Sequence, residues 1–491
     1  MNGAGRSSSR RSPVLLTHSY YLRYDPKQWR KMKPYAPLST LIAAALLRER
    51  QQGFAFFDPM LSEGVDEYRE VLRATRPRVV AILEDNFNFL TKMCTTRMRE
   101  AAFEMIAAAK SSGARVVVNG SDPTDQMAAY LEVGADAIIL GEAEATLLDI
   151  TSRWARDRDT DLFAIPGLAI AATGTLSKVH RTRPRAASVD LDALPFPAWD
   201  LIDVEQYRVA WTAAHGKLSW NLCTSRGCPF GCNWCAKPVF GRRYTQRSPA
   251  NVAEELARLT RAVGPDHVWF ADDIFGLTPR WIEAFADEVQ QRNAATPFSM
   301  QSRADLMTEG AVRALAAARC EEVWLGVESG SQLVLDAMEK GISLEDVRNA
   351  TGRLKEHGIR ACWFVQLGYP GEDWEQVMET RDLIRDARPD DIGVSVAYPL
   401  PGTPFYERVR AELRGKVNWS DSDDLAMLFR GAYTTDFYRE IRDVLHAEVN
   451  AWNGGGALPQ RELEARWDAL ETREHANRSL PLPVRRAAAG A

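Results

Sequence analysis

A chain of 491 residues is long enough to bury two or three cores. Its charged residues make up 26% and balance to -5, which excludes the strongly basic profile of a nucleic-acid binder. A hydrophobic content of 45% excludes disorder over most of the length. Residues 1–12 are rich in Ser, Arg and Gly and lack the apolar stretch of a secretory signal. The apolar window 38–47 is too short to span a bilayer. Seven cysteines, an odd number and mostly clustered, do not suit a secreted disulfide framework, so a reducing, cytoplasmic location is expected.

In chain order, residues 13–17 read as a strand, 18–37 as a polar, aromatic loop and 38–50 as a helix. Further strands are predicted at 54–57, 78–83, 114–118 and 137–140, with helices at 65–75, 98–112, 124–132 and 144–154. This alternation predicts a doubly wound, Rossmann-like α/β domain over 13–156. Ligands of such domains sit beyond the C-terminal strand ends, here 18–21, 84–88, 119–122 and 141–142. The alternative is that these positions are simply turns. No G-x-G-x-x-G and no P-loop is present, which argues against a dinucleotide or nucleotide site.

Residues 157–216 are rich in Pro, Arg, Thr and Asp, and are predicted to be a connection with a small hairpin within 167–180. A second alternation follows over 217–405. Strands are predicted at 218–222, 267–271, 298–303, 322–327, 359–367 and 391–397. Helices are predicted between them at 249–263, 279–292, 308–317, 343–357 and 374–386, with Ser248 and Ser343 as N-caps. Six βα-like units predict a partial, open (βα)6 barrel whose active site lies at the C-terminal strand ends. Residues 406–480 are expected to be helical, at 406–414, 425–433 and 435–450 and in a charged surface helix at 461–478. Residues 481–491 are expected to form a disordered tail.

The chemistry concentrates in C-T-S-R-G-C-P-F-G-C-N-W-C, from Cys223 to Cys235, on the loop that leaves the first barrel strand. Cys228, Cys232 and Cys235 have the spacing C-x3-C-x2-C. Three close thiols suit zinc if Cys223 or His215 adds a fourth ligand. They better suit three corners of a [4Fe–4S] cluster with one iron left open. Cys94, Cys320 and Cys362 have no ligand spacing, and Cys320 and Cys362 read as core residues.

Further motifs narrow the choice. They are Trp234 before the last cysteine, Gly326-Val327-Glu328-Ser329-Gly330, Gly368-Tyr369-Pro370-Gly371-Glu372 and Pro399-Leu400-Pro401-Gly402-Thr403. With the cysteine spacing, the chain resembles the radical S-adenosylmethionine (radical SAM) superfamily. The resemblance is to the subgroup whose barrel follows a cobalamin-binding domain, and it covers residues 13–405. It implies that Cys228, Cys232 and Cys235 hold [4Fe–4S] and that S-adenosylmethionine is cleaved to methionine and a 5'-deoxyadenosyl radical. It further implies cofactor contacts from Trp234 (adenine), Asp272 and Asp273 (methionine amino group), Arg303 (carboxylate) and Glu328 (ribose or amino group). Gln366 and the Gly368 backbone are implied as further contacts.

The same resemblance implies a cobalamin site in 13–156, with His18, Asn119, Ser121, Gly141 and Glu142 on its cofactor side. The D-x-H-x-x-G signature that supplies a cobalt ligand is missing, and His18 is the sole histidine of residues 1–150. Asn119-Gly120-Ser121-Asp122-Pro123 stands where relatives carry Gly-Gly-Pro. Gly141-Glu142-Ala143-Glu144 stands where they carry G-E-G-E. Two glycines are thus replaced, at 119 and 143. The insert 18–33, with Tyr20, Tyr21, Tyr24 and Trp29, could cap a cofactor or substrate. The activity implied is cobalamin-dependent C-methylation of a small molecule or natural-product intermediate, with electrons from a flavodoxin or ferredoxin. No nucleic acid and no membrane is implied. The alternatives are radical cyclisation, rearrangement or bond cleavage without cobalamin, and a non-catalytic iron–sulfur or zinc protein. An RNA methylthiolating enzyme would need a second cluster motif, which the remaining cysteines do not form.

Overall fold

The computed structural model describes residues 13–479, apart from 88–92, 94, 157–160, 173–174, 414 and 454–457. Residues 1–12, Asn88, Cys94 and the tail 481–491 therefore lie outside the described residues. Among those described, no helix is long and apolar enough to cross a membrane. The chain divides by its contacts into two units.

The first unit runs to Asn221 and takes in 238–241 and 420–423. Its strands are β1 (Val14–Thr17), β2 (Phe54–Phe56), β3 (Val79–Leu83), β4 (Arg115–Asn119), β5 (Ala137–Ile139), β6 (Leu168–Ala172) and β7 (Thr175–Arg181). They form one seven-stranded sheet in the order β2-β1-β3-β4-β5-β6-β7. β1 to β5 pair in parallel, while β6 and β7 add an antiparallel hairpin. Side chains alternate across the strands, so apolar runs such as V-V-A-I-L feed two cores at once. Leu15, Val80, Ile82, Val116 and Val118 face one way, onto helices Val65–Thr75 and Thr96–Ser111. Leu16, Val79, Ala81, Leu83 and Val117 face the other, onto Leu38–Glu49 and Glu144–Arg156.

Three expectations change here. The stretch 18–37 is not simply a loop. It holds the turn Leu22–Tyr24 and the helix Pro26–Lys31, whose N-cap Asp25 accepts from Gln28 N. The helix expected over 124–132 is two helices, Ser121–Asp125 and Met127–Val133. Much of the expected connection belongs to the first unit, because the 167–180 hairpin extends its sheet and Val204–His215 is a helix. Asp203 caps that helix and Gly216, with φ 70°, ends it.

A six-stranded sheet is formed by β8 (Ser219–Leu222), in which the chain passes from the first unit to the second, and by β11 (His267–Phe270), β12 (Phe298–Ser302), β13 (Cys320–Glu328), β14 (Arg360–Leu367) and β15 (Asp391–Val396) of the second unit. The spatial order follows the chain, and β11 to β15 pair in parallel. Ala271 N donates to Leu222 O at the end of β8 (2.8 Å). This is an open, partial barrel with α/β units wound in sequence. Its helices start as the sequence predicts: Ser248 caps Pro249–Ala262, and Ser343 forms a capping box with Asp346 ahead of Leu344–Glu356. A short helix, Gln332–Ala337, was not expected.

The C-terminal region is helical at Pro404–Val409, Thr435–Trp452 and Gln460–Asn477. The helix expected over 425–433 does not form. Leu425 adopts φ 47°, outside the helical range, and Met427 N donates to Thr435 Oγ1 (3.0 Å). Gln460–Asn477 is more than a surface helix, since Leu463, Trp467 and Leu470 are buried. Trp467 Nε1 donates to Glu448 Oε1 at 2.7 Å. Thr435–Trp452 packs along β15.

Candidate active site

The cysteine loop begins where β8 ends, and fixed points hold it on several sides. At its entry, Thr224 donates to the buried Asp272 carboxylate through N and Oγ1, both at 2.9 Å. Ser225 Oγ donates to the same carboxylate. Ser225–Arg226 (β9) pairs antiparallel with Thr245–Gln246 (β10). Arg247, ion-paired with buried Glu255, donates to Cys223 O (2.9 Å).

In the middle of the loop, Asn233 is bonded through every polar group. Its N donates to Met338 O (3.1 Å) and its Nδ2 to Ala337 O (2.8 Å). Its Oδ1 accepts from Tyr369 OH (2.8 Å) and its carbonyl from Phe405 N (3.1 Å). On a third side the Arg303 guanidinium lies 3.8 Å from the Phe230 ring centre.

Cys228 and Cys232 are buried and Cys235 is half-buried. Burial pushes the Cys235 thiol up to about 11, opposed by Lys237 and reinforced by Asp273, Cys232 and Cys228. Burial also raises Cys228, again with Asp273 and Cys232 adding. The three thiols therefore lie within one another's field. Among the described residues, no three His, Cys, Asp or Glu side chains are gathered into a ready metal-ion cage. The donors are three thiols on one short loop, and a metal bound there would displace their protons. That donor set, three thiols on one loop, fits three irons of a [4Fe–4S] cube.

The two aspartates after β11 differ. Asp272 is buried and committed to Thr224 and Ser225, and burial still raises its pKa to about 6. Asp273 is the carboxylate whose charge reaches the thiols. Neither caps the following helix, whose N-cap is Thr278.

Arg303 is largely occupied: it donates to Asp305 Oδ1 (2.9 Å), Asp305 Oδ2 (3.2 Å), Lys340 O (2.8 Å) and Gly341 O (3.0 Å). Four of a guanidinium's five N–H groups are thus used within the chain. Glu328 ends β13 with φ 68° and forms a buried ion pair with Lys340 Nζ at 2.8 Å. Trp234 Nε1, Gln366 Oε1 and Ser302 Oγ are buried without a hydrogen-bond partner. Gly368 has φ 78°, and a Cβ there would lie 3.0 Å from Tyr438 Cζ and 3.1 Å from Met427 Cε. The chain itself occupies that face of Gly368.

In the first unit the sheet order reverses between β1 and β3, the switch point at which such sheets bind ligands. His18 follows β1. Its Nδ1 accepts from Tyr20 N (3.2 Å), leaving Nε2 to donate to Asp58 Oδ1 (2.9 Å). Both ring nitrogens are engaged inside the unit. Tyr207 OH donates to Asp58 Oδ2 (2.7 Å). Ser19 donates to Glu84 Oε1 through N (3.2 Å) and Oγ (2.5 Å).

Asn119 Nδ2 donates to Ile139 O and Gly141 O, both at 3.0 Å, and its Oδ1 accepts from Asn86 Nδ2 (3.0 Å). Glu142 accepts from Ser188 N (3.1 Å). Ser121 is buried at the start of Ser121–Asp125. Positive φ falls on Gly120 (153°) and Gly141 (77°), and neither Asn119 nor Ala143 adopts it. The two replaced glycines thus carry no backbone strain. Tyr20 OH and Asn86 Oδ1 are buried without a partner.

The sequence pointed to the cysteine loop and the strand ends, and to Tyr438 as possible pocket lining or barrel cover, but not to Asn233, Ser302 or Lys340. The position of Asn233 between two of the cysteines was the one available signal.

Comparisons with known proteins bear on this arrangement. Residues 222–384 match the radical SAM superfamily. An uncharacterized methyltransferase of Pyrococcus horikoshii is 28% identical over 328 residues, covering 63% of this chain and 69% of its own length. An anaerobic magnesium-protoporphyrin IX monomethyl ester cyclase of Rubrivivax gelatinosus is 27% identical over 293 residues, covering 58% of this chain and 50% of its own. The chain thus spans half to about two-thirds of the length of these relatives. A solved structure of the cobalamin-dependent S-adenosylmethionine radical enzyme OxsB, with aqua-cobalamin and S-adenosylmethionine bound, has a TM-score of 0.69. It covers 95% of this chain and 72% of that one, and at 15% identity the likeness is one of fold.

Proposed function

We propose that this chain, which belongs to the radical SAM superfamily and carries a cobalamin-binding-type domain before its barrel, methylates carbon in a small molecule. The observation that carries the radical chemistry is the loop of Cys228, Cys232 and Cys235 at the end of β8, fixed through Asp272, Asn233 and Arg303. A [4Fe–4S] cluster held there would supply one electron to the sulfonium of S-adenosylmethionine, giving methionine and a 5'-deoxyadenosyl radical. Cobalamin in the first unit would supply the methyl group.

The chain's own residues have separate tasks. Asp273 presents negative charge beside the thiols, suited to an ammonium group of the cofactor. Gln366 Oε1, Ser302 Oγ and Trp234 Nε1 are buried and unmet, and so would take up hydrogen bonds of a bound nucleoside. Phe230 and Trp234 flank the cysteines in the loop. In the first unit, Tyr20 OH and Asn86 Oδ1 offer unmet polar groups by the switch point. His18 is held by Tyr20 and Asp58, so no protein nitrogen would ligate cobalt from it. A small electron-transfer protein such as flavodoxin or ferredoxin would deliver the electrons.

A second reading, radical ring closure or rearrangement without methyl transfer, draws on two observations. One is the likeness to the cyclase of Rubrivivax gelatinosus. The other is Asn119, whose amide is engaged by Asn86, Ile139 and Gly141. Anaerobic, iron-reconstituted protein with dithionite and S-adenosylmethionine is expected to release 5'-deoxyadenosine and methionine. Alanine at Cys228, Cys232 and Cys235 is expected to abolish both products, and unchanged yield would overturn the assignment. Retained corrin absorption after gel filtration with cobalamin supports methylation, and its absence favours the second reading.

A further inference from the structure

We propose that Lys340 sets how readily the iron–sulfur group on Cys228, Cys232 and Cys235 accepts its electron, with Glu328 holding the ammonium in place. The inference rests on the cluster reading above. Lys340 follows the helix Gln332–Ala337, and the segment after that helix runs beside the cysteine loop. Asn233 reaches the carbonyls of Ala337 and Met338 there. On the other side, Arg303 donates to the carbonyls of Lys340 and Gly341, at 2.8 and 3.0 Å. Lys340 is therefore clamped between the cysteine loop and the end of β12. Its side chain is 7% exposed, and Nζ lies 6.0 Å from the centre of the Trp234 ring.

Three unusual features converge on this one ammonium. The first is the buried ion pair itself, Nζ to Glu328 Oε1 at 2.8 Å. Secondly, Glu328 adopts φ 68°, a left-handed conformation that a non-glycine residue rarely takes without support from its surroundings. Gly326 is the third: a Cβ there would lie 2.7 Å from Nζ and 2.9 Å from Glu328 Oε1, so glycine lets the pair sit against the strand without a shift. A buried ion pair is weak evidence for stability, because desolvation offsets its attraction. Stability alone therefore does not account for a strained glutamate and a buried lysine together.

Charge does account for them. Each ammonium has three N–H groups, and Glu328 accepts one. A buried positive charge beside the thiolate loop favours the form of the cluster that carries one more electron. The cysteine at 232 is among the charges that act on Lys340. The step is a one-electron transfer from an external reductant to the cluster, with no bond made or broken.

The test is a redox titration of reconstituted protein, followed by electron paramagnetic resonance, in wild type, Lys340→Met, Lys340→Arg and Glu328→Gln. The ratio of reduced to oxidised cluster at a fixed potential is expected to fall about tenfold in Lys340→Met, equivalent to about 59 mV for one electron. Lys340→Arg keeps the charge and is expected to stay within about twofold of wild type. Glu328→Gln removes the opposing carboxylate and is expected to raise the ratio. If Lys340→Met does not retain iron, Glu328→Gln decides alone. Wild-type iron content with an unchanged ratio in Glu328→Gln, or in Lys340→Met where it retains iron, overturns the proposal. Wild-type protein that binds no cluster would overturn the cluster reading instead, which is a distinct result.

Discussion

A carboxyl buried with one oxygen unmet is tolerated best while it keeps its proton. Glu372 is such a group: Gly368 N donates to its Oε2, and its Oε1 has no partner. Burial pushes its pKa to about 8 from the ordinary 4.5; the Gly368 bond opposes this and Asp373 adds to it. The folded state therefore binds more protons than the unfolded state between these values. The contribution of Glu372 is complete below about pH 4.5 and is lost as the pH rises through about 8. Glu372→Gln is expected to flatten this dependence, and wild type to lose on the order of a few kcal/mol more than the variant between pH 5 and pH 8.5. Urea unfolding at the two pH values checks it. Asn233→Ala removes the amide that joins the cysteine loop to Ala337 and Tyr369. Loss of about 1–3 kcal/mol is expected, with several-fold lower iron retention by iron analysis.

Glycine packing decides stability at the level of elements. At Gly330, just past β13, a Cβ would lie 2.4 Å from Thr380 Cα and 2.5 Å from Glu379 O. Both atoms are backbone of the helix Trp374–Ala387, so no side chain can rotate away. Gly330→Ala is expected to lower stability by about 1–3 kcal/mol, measured as the urea midpoint.

The strands of both sheets were readable because their apolar runs are flanked by turn residues and bury both faces. The segment 425–433 misled because Leu-Ala-Met-Leu-Phe suits a helix locally. Leu425 at φ 47° and the bond from Met427 N to Thr435 override that preference. Helices of six residues, Pro26–Lys31 and Gln332–Ala337, are too short to show a period, although Asp25-Pro26 was a readable start signal. The cysteines were readable from spacing alone. Lys340 and Asn233 were not, because their roles arise from contacts with segments distant in sequence.

Over the whole molecule, each unit carries its own sheet and core. Iron should therefore stabilise one region selectively. Chelating iron from the reconstituted protein is expected to raise amide exchange by at least about tenfold across residues 223–235. Exchange in Val79–Leu83 and Arg115–Asn119 is expected to stay unchanged. Hydrogen-exchange mass spectrometry on matched samples reads both. Which ligands the first unit takes was the least legible feature, since its candidate positions are backbone turns and networks such as His18–Asp58–Tyr207.

The helix Thr435–Trp452 along β15 also governs how copies of this chain behave toward one another. β15 is the last strand of an open sheet, and its outer row of N–H and C=O groups is a template for another strand. The helix lies along it, and Trp452 Nε1 and Asn453 Nδ2 bind the carbonyls of Pro389 and Asp390 at 3.1 and 2.7 Å just before it. A chain ending before Thr435 would bare D-I-G-V-S-V, an edge with little charge to repel a partner. Such a truncation is expected to self-associate by edge pairing, with light scattering rising steeply with concentration while the full chain stays dispersed. The helix Thr435–Trp452 is thus expected to keep that edge from pairing with another copy.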